Sequence, residues 1–377
     1  MEFKTPACTT VTTLFAALAV GMTLGSLGAG LSATAQEKAT IITFDAPGAG
    51  TGSAQGTFAL DINASGGIEG YYVDAGFVSH GFLRARDGAI ITFDVSGATS
   101  TLPYSINAAG AIAGFYVDAI SVSHGFLRAA DGALTTFDAP GAGTAPGQGT
   151  YALDINAAGA IAGDYADPSN VYHGFLRAAD GTFTTFDAPD AGTGPYQGTS
   201  TGAGNCLNLA GVIAGQFTDE ANVYHGYLRA ADGTITTYDA PGAGTGSYQG
   251  TAASGINAGE TIVGVYTDSS GVNHSFLRSP EGTIRTFSVP RSGTGSGQGT
   301  IAQGINRSGA IAGVFVDASG VNHGFLASKG VLTAFDAPGA GTGSGQGTVP
   351  IANNPLNAVT GYYFDAGGVS HGFLRSP

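Results

Sequence analysis

The stretch TYALDINAAGAIAGDYADPSNVYHGFLRAADGTFTTFDAP, residues 150–189, decides the fold. It reads as four short strands. Thr150 to Asn156 is apolar and β-prone, and Ala157 to Gly159 turns the chain. Ile161 to Tyr165 alternates, a loop runs through Pro168 and Asn170, and Tyr172 to Arg177 forms a third strand. Asp180-Gly181 is a hairpin signal, and Phe183 to Asp187 is a fourth strand stopped by Pro189. Nothing here carries the 3.6-residue period of a helix.

The same unit recurs along the chain. All seven histidines sit in one phrase, and an Asp precedes each by six positions: Asp74 and His80, Asp118 and His124, Asp167 and His173, Asp219 and His225, Asp268 and His274, Asp317 and His323, Asp365 and His371. Successive histidines are 44 to 52 residues apart. A second phrase, typically Thr-Thr-Phe-Asp-Ala-Pro, also occurs seven times. Four short strands in a unit of this length predict an all-β fold, a seven-bladed β-propeller of four-stranded blades. The phase of the ends supports closure. Ile41 to Pro47 is a fourth-strand phrase, and the chain ends on a third-strand phrase, so strand 41–47 is expected to complete the C-terminal blade and remove two sheet edges. The competing architecture, an open β-solenoid, uses shorter rungs.

Composition agrees with a packed β protein. Of 377 residues, 64 are Gly without a three-residue period, which excludes collagen, and 43% are hydrophobic, enough for a core. The net charge of -14 argues against nucleic acid and anionic membrane as partners. The apolar run Leu14 to Leu31, followed by Ala33-Thr34-Ala35, reads as a signal peptide over 1–35 rather than an anchor. The propeller then spans 36–377, with secretion to the extracellular space or periplasm, no membrane insertion after cleavage, and a monomer as the expected state. Cys206 is the one cysteine left after cleavage, so no internal disulfide is expected.

The phrases Asp61-Ile-Asn-Ala-Ser-Gly66, Gly70-Tyr-Tyr and His80-Gly-Phe-Leu resemble the HAF repeat, a probable extracellular repeat of bacteria. Gly or Ser275 replaces the middle Ala of the tripeptide, and Arg84 and its equivalents stand where the family usually has Trp. The resemblance covers essentially all of 41–377. It implies an extracellular location and no established reaction.

The seven Asp/His pairs flank one hairpin each and are expected to pin its loop by a hydrogen bond. One His plus one Asp supplies too few ligands for zinc, and seven equal copies do not suit a single reaction centre, so no metal and no catalytic residue is assigned. The Gly-rich loops lack the following helix that a dinucleotide fingerprint needs, and Asp268-Ser-Ser-Gly271 lacks further carboxylates for calcium, so no cofactor is expected. The recurring aromatics are expected to pack between blades, and the arginines to make local ion pairs.

Asymmetry marks where a unique site would lie. Two residues before the turn Asn stand Asp61, Ser105, Asp154, Cys206, Gly255, Gly304 and Pro355, on the strand expected to line the channel. Units four and seven each read as three residues longer there, Thr199 to Asn208 and Thr348 to Asn357. Asp61, Asp154, Asn205, Cys206 and Asn354 are therefore the candidate binding residues at the channel mouth. Two functions follow. One is a secreted, non-catalytic binding protein whose repeated loops contact a polysaccharide or another cell-surface polymer. The other is a propeller hydrolase or lyase acting on a polymer at the channel, which needs acid and base groups converging from different blades.

Overall fold

The computed structural model describes residues 39–202 and 205–377, so the expected signal segment 1–35 lies outside the described residues. Twenty-eight strands and no helix make up the described chain. Their pairing divides them into seven antiparallel sets of four. Blade one is Gly56–Ile62, Ile68–Val73, Ser79–Arg84 and Ile90–Phe93. Blades two to six repeat this order from Ser100, Gly149, Gly198, Gly250 and Gly299. Blade seven takes Gly347–Asn353, Val359–Phe364 and Ser370–Ser376, and its fourth strand is Thr40–Phe44, paired from Thr40↔Ser376 to Phe44↔Gly372. The expected closure by the N-terminal strand is thus present, in register.

Single parallel bridges join neighbouring blades at six of the seven boundaries. Gly56 pairs with Ser370, Gly149 with Ser123, and Gly347 with Asn322. Gly56 has a φ of +112°, and a Cβ there would run into the Ser370 carbonyl, which explains the Gly of the recurring Gln-Gly-Thr phrase. The connection from blade one to blade two has lost that phrase.

The core lies between blades rather than in one mass. Phe82, Phe126, Phe175, Tyr227, Phe276, Phe325 and Phe373 hold one position of the third strand and are fully buried. Six of them face a ring from the preceding blade's fourth strand, as Phe44 meets Phe82 edge-on at 6.1 Å, whereas Phe175 packs on Phe183 of its own blade, which in turn meets Phe137. The expectation that the repeated aromatics pack between blades accords with this, and each such ring contributes about 2–3 kcal/mol by burial.

The arginines depart from expectation. Arg84 lies over the Phe44 ring at 5.0 Å, and Arg128, Arg177, Arg229, Arg278 and Arg375 repeat the arrangement on Phe93, Phe137, Phe186, Tyr238 and Phe335. They stack across the blade boundary instead of pairing closely with nearby Asp: the planar guanidinium covers apolar ring area and is itself largely buried, with Arg84 Nη1 3.4 Å from the Ala85 carbonyl.

A second correction concerns blade seven. Asn63 Oδ1 accepts the N–H groups of Ser65 and Gly67, capping the first turn. In blade seven Asn354 does this, from Leu356 and Ala358, so Asn354 and not Asn357 is the turn residue. The position two before it is Ala352, and blade seven carries no extra residues. Only blade four does, where the first strand shortens to Gly198–Ser200.

The turn asparagines form an incomplete ring. Asn63 Nδ2 donates to the carbonyl of Asn107, Asn107 to Asn156, Asn156 to Asn208, Asn306 to Asn354, and Asn354 to Asn63, at 2.8 to 3.3 Å. These five links join neighbouring blades, the last across the seam between blades seven and one; Asn208 Nδ2 is buried without a partner, so the circle stays open after blade four.

Candidate functional site

Three constellations recur or converge. The first is the histidine clamp. His80 Nδ1 lies 2.9 Å from Asp94, its Nε2 3.5 Å from Asp74, and its ring stacks on Tyr72 at 5.0 Å. His124, His173, His225, His323 and His371 take the same double contact with Asp138, Asp187, Asp239, Asp336 and Asp45 as the closer partner. That closer carboxylate comes from the fourth strand and was missed in the sequence, although the Phe-Asp-Ala-Pro phrase carried it. The upstream Asp mainly serves its own loop: Asp74 Oδ1 accepts from Gly76 and Val78, and the latter bond is the main cause holding its carboxyl below the ordinary value. Blade five has Ser288 in place of the second Asp. There His274 sits 3.2 Å from Asp268 and 4.2 Å from the Tyr266 ring, and burial lowers its pKa. Among the described residues, no three His, Cys, Asp or Glu side chains converge as metal ligands.

The second constellation lies on the innermost strands of blades one to four. Ser105 Oγ is 3.1 Å from Asp61 Oδ2 and 2.8 Å from Asp154 Oδ1. Asp61 also accepts the N–H groups of Ile62 and Ile106, and Asp154 that of Leu207. One hydroxyl has one proton, so it donates to one carboxylate, and the other must supply a proton of its own. Burial, with Asp154 adding to it, pushes Asp61 up to about 6. Glu69, opposite Asp61 in register, is fully buried with neither carboxylate oxygen in a hydrogen bond, and burial raises its pKa well above the ordinary value. In blade three Asp164 accepts from Ser200 Oγ and the Thr201 N–H and is likewise raised by burial to about 6. Sequence reading missed Glu69 and Asp164, whose only signal is a carboxyl where sibling repeats carry uncharged residues.

Of the five sequence candidates, Asp61, Asp154 and Cys206 come together through Ser105 and Leu207. Cys206 is buried, and burial followed by Asp154 and Asp164 raises its thiol. Asn205 receives the Ile256 N–H on its carbonyl. Asn354 stands apart from the carboxylates, with its amide committed to the turn and to the asparagine ring. Asp61 and Asp154 are only 7% and 4% exposed, so the cluster is sealed inside the protein and presents no open face to a polymer.

The third constellation is the loop rim. The Gly-rich connections and the Asp-to-His loops lie together: Gly50 donates to the Val73 carbonyl, and Gln55 bonds Gly52 through Oε1 and the Ala75 carbonyl through Nε2. The same Gln bridges recur in blades three, four, six and seven, as at Gln148 and Gln346, and Gln249 of blade five repeats the Oε1 bond. Phe77, Tyr196 and Tyr248 project from this rim and are exposed.

No family model matches the chain. No curated protein matches it either. Among solved structures it is similar to virginiamycin B lyase from Staphylococcus aureus in a catalytically inactive form with quinupristin, with a TM-score of 0.57, 13% identity, and 89% and 99% of the two chains covered. It is also similar to a streptogramin B lyase, with a TM-score of 0.55, 13% identity, and 89% and 97% covered. The BP39L lectin from Burkholderia pseudomallei aligns with a TM-score of 0.51 at 12% identity over 82% and 92% of the chains. The fold is a β-propeller. At these identities the likeness carries the fold alone, and the fold hosts lyases and lectins alike.

Proposed function

We propose that the chain is a secreted, non-catalytic binding protein of the HAF-repeat kind, whose loop rim engages a polysaccharide or another repeating cell-surface polymer. One contrast carries this reading. The carboxylates that converge from different blades are sealed and bonded to main-chain N–H groups, whereas the repeated loops stand open on one rim. A weak contact repeated around a ring gains strength by effective concentration when the partner also repeats. The lectin neighbour is compatible with this role. The apolar run before Gln36 supports export.

The test compares retention of the protein on insoluble polymers with titration by their oligomers, with product analysis alongside. Strong retention, weak oligomer binding and no turnover are expected. The convergence of Asp61 and Asp154 on Ser105 is the observation that favours the alternative, a polymer hydrolase or lyase. Release of reducing or unsaturated ends that stops in Asp61→Asn or Asp154→Asn would replace the binding reading with that one.

A further inference from the structure

Phe77, Tyr196 and Tyr248 break a local rule. Their φ angles are +63°, +67° and +62°, in the left-handed region where a bulky side chain is strained. Their side chains are 64%, 70% and 66% exposed, so packing does not offset that strain. Sibling repeats obey the rule. The position of Tyr196 and Tyr248 holds Gly147, Gly297 and Gly345 in other connections, with Ala54 the remaining case. A strained ring held in water serves neither folding nor solubility.

The two tyrosines also share a sequence context, and Tyr248 has a partner ring. Tyr opens the third strand only in blades three and four, as Tyr172 and Tyr224, where the other blades have Ser or Asn. These are the two blades whose outgoing connections carry Tyr196 and Tyr248. The Tyr224 and Tyr248 rings are 6.2 Å apart, and Tyr172 in turn lies 6.3 Å from Tyr151. The main-chain N–H groups of Tyr196 and Tyr248 donate to the carbonyls of Asn170 and Asn222 at 2.7 Å, so the backbone that aims each ring is fixed. Phe77 has no such partner, since Ser79 opens its strand.

We infer that the rim over blades three and four holds a saccharide site in which Tyr196 and Tyr248, the latter beside Tyr224, stack on successive sugar rings of a neutral polysaccharide. The inference rests on the polymer-binding reading above and gives that reading a location. The loop residues around the rings are mostly Gly, Ser, Thr and Asp, not the continuous apolar patch that a protein partner would cover. Exposed carboxylates on the same loops, Asp190 and Glu220, offer acceptors for sugar hydroxyls. The charge of -14 disfavours an anionic polymer. Two like contacts one blade apart suit a partner that repeats its own chemistry.

The test uses the exported protein, with cellulose, chitin, xylan and peptidoglycan as probes. Tyr196→Gly/Tyr248→Gly restores the residue of the sibling repeats. Retention of the wild type on at least one polymer is expected, with at least about a tenfold weaker retention of the double variant. Its melting temperature should be unchanged or higher, and Phe77→Asn should bind like wild type. Undiminished retention of the double variant overturns the tyrosine site and leaves the polymer reading standing. A lowered melting temperature overturns it too, because the rings would then serve packing, and equal loss in Phe77→Asn overturns the location. A wild type retained on none of the four polymers sinks the polymer reading, and the site with it.

Discussion

His371 and Asp45, 326 residues apart in the chain, hold each other at 2.9 Å between Nδ1 and Oδ1. The contact repeats the clamp that His80 and Asp94 make within one blade. It therefore joins the two ends of the described chain with the chemistry used everywhere else in the ring.

Removing residues 36–47 takes away that clamp and a whole strand, leaving two open edges. Aggregation and a destabilisation of about 3 kcal/mol or more are expected, read by thermal and urea melts. The pair alone is partly exposed, so a double-mutant cycle on His371→Ala and Asp45→Ala should give a coupling of only ~0.2–1 kcal/mol.

The asparagine ring makes a position-dependent prediction. Asn→Asp keeps the turn acceptor and removes the donor. Asn107 uses its donor on the Asn156 carbonyl, whereas Asn208 Nδ2 is buried without a partner. Asn107→Asp should cost about 1 kcal/mol more than Asn208→Asp in urea unfolding. Equal costs would mean that the links between blades contribute nothing.

Stability should fall as pH rises through the weakly acidic range. Asp61 and Asp164 are raised from 3.8 to about 6, so the folded state binds more protons than the unfolded one between those values. Their contribution is complete below about 4 and is lost by about pH 7, up to roughly 3 kcal/mol for each. Asp74 and Asp118, held low chiefly by the Val78 and Val122 N–H groups, act oppositely, and their contribution disappears below about pH 4. A melting series should peak near pH 4 to 5 and decline toward 7. A flat profile would contradict the buried charges.

Ser105→Ala should leave Asp61 and Asp154 without their shared hydroxyl and cost about 1–3 kcal/mol. Cys206, with its thiol buried and raised, should react with a disulfide reagent only at the rate of unfolding. Fast labelling of the native protein would show that the insert of blade four opens.

Much of this was legible beforehand, for a physical reason. A blade cannot bury its faces alone, so its pattern of strand and turn residues must recur, and recurrence exposes strand order and closure together. Side-chain contacts between separate strands were harder to see. Asp94 reaches His80 from fourteen residues away, and Arg84 lies over a ring forty residues earlier. Blade seven misled because Asn353, Asn354 and Asn357 all sit near a turn, and spacing alone did not choose among them. Tyr196 and Tyr248 escaped notice because their strangeness is conformational: a tyrosine is ordinary in a loop until its φ is known.

The strand Thr40–Phe44 completes blade seven from the position a preceding unit would have occupied. The seam consequently falls inside a blade, while each genetic unit begins and ends at the same phase. A duplication or loss of one unit by unequal recombination would leave the seam intact and change only the angle allotted to each blade. The number of blades is then free to drift during evolution, limited by how far the rings between blades tolerate a wider or narrower wedge.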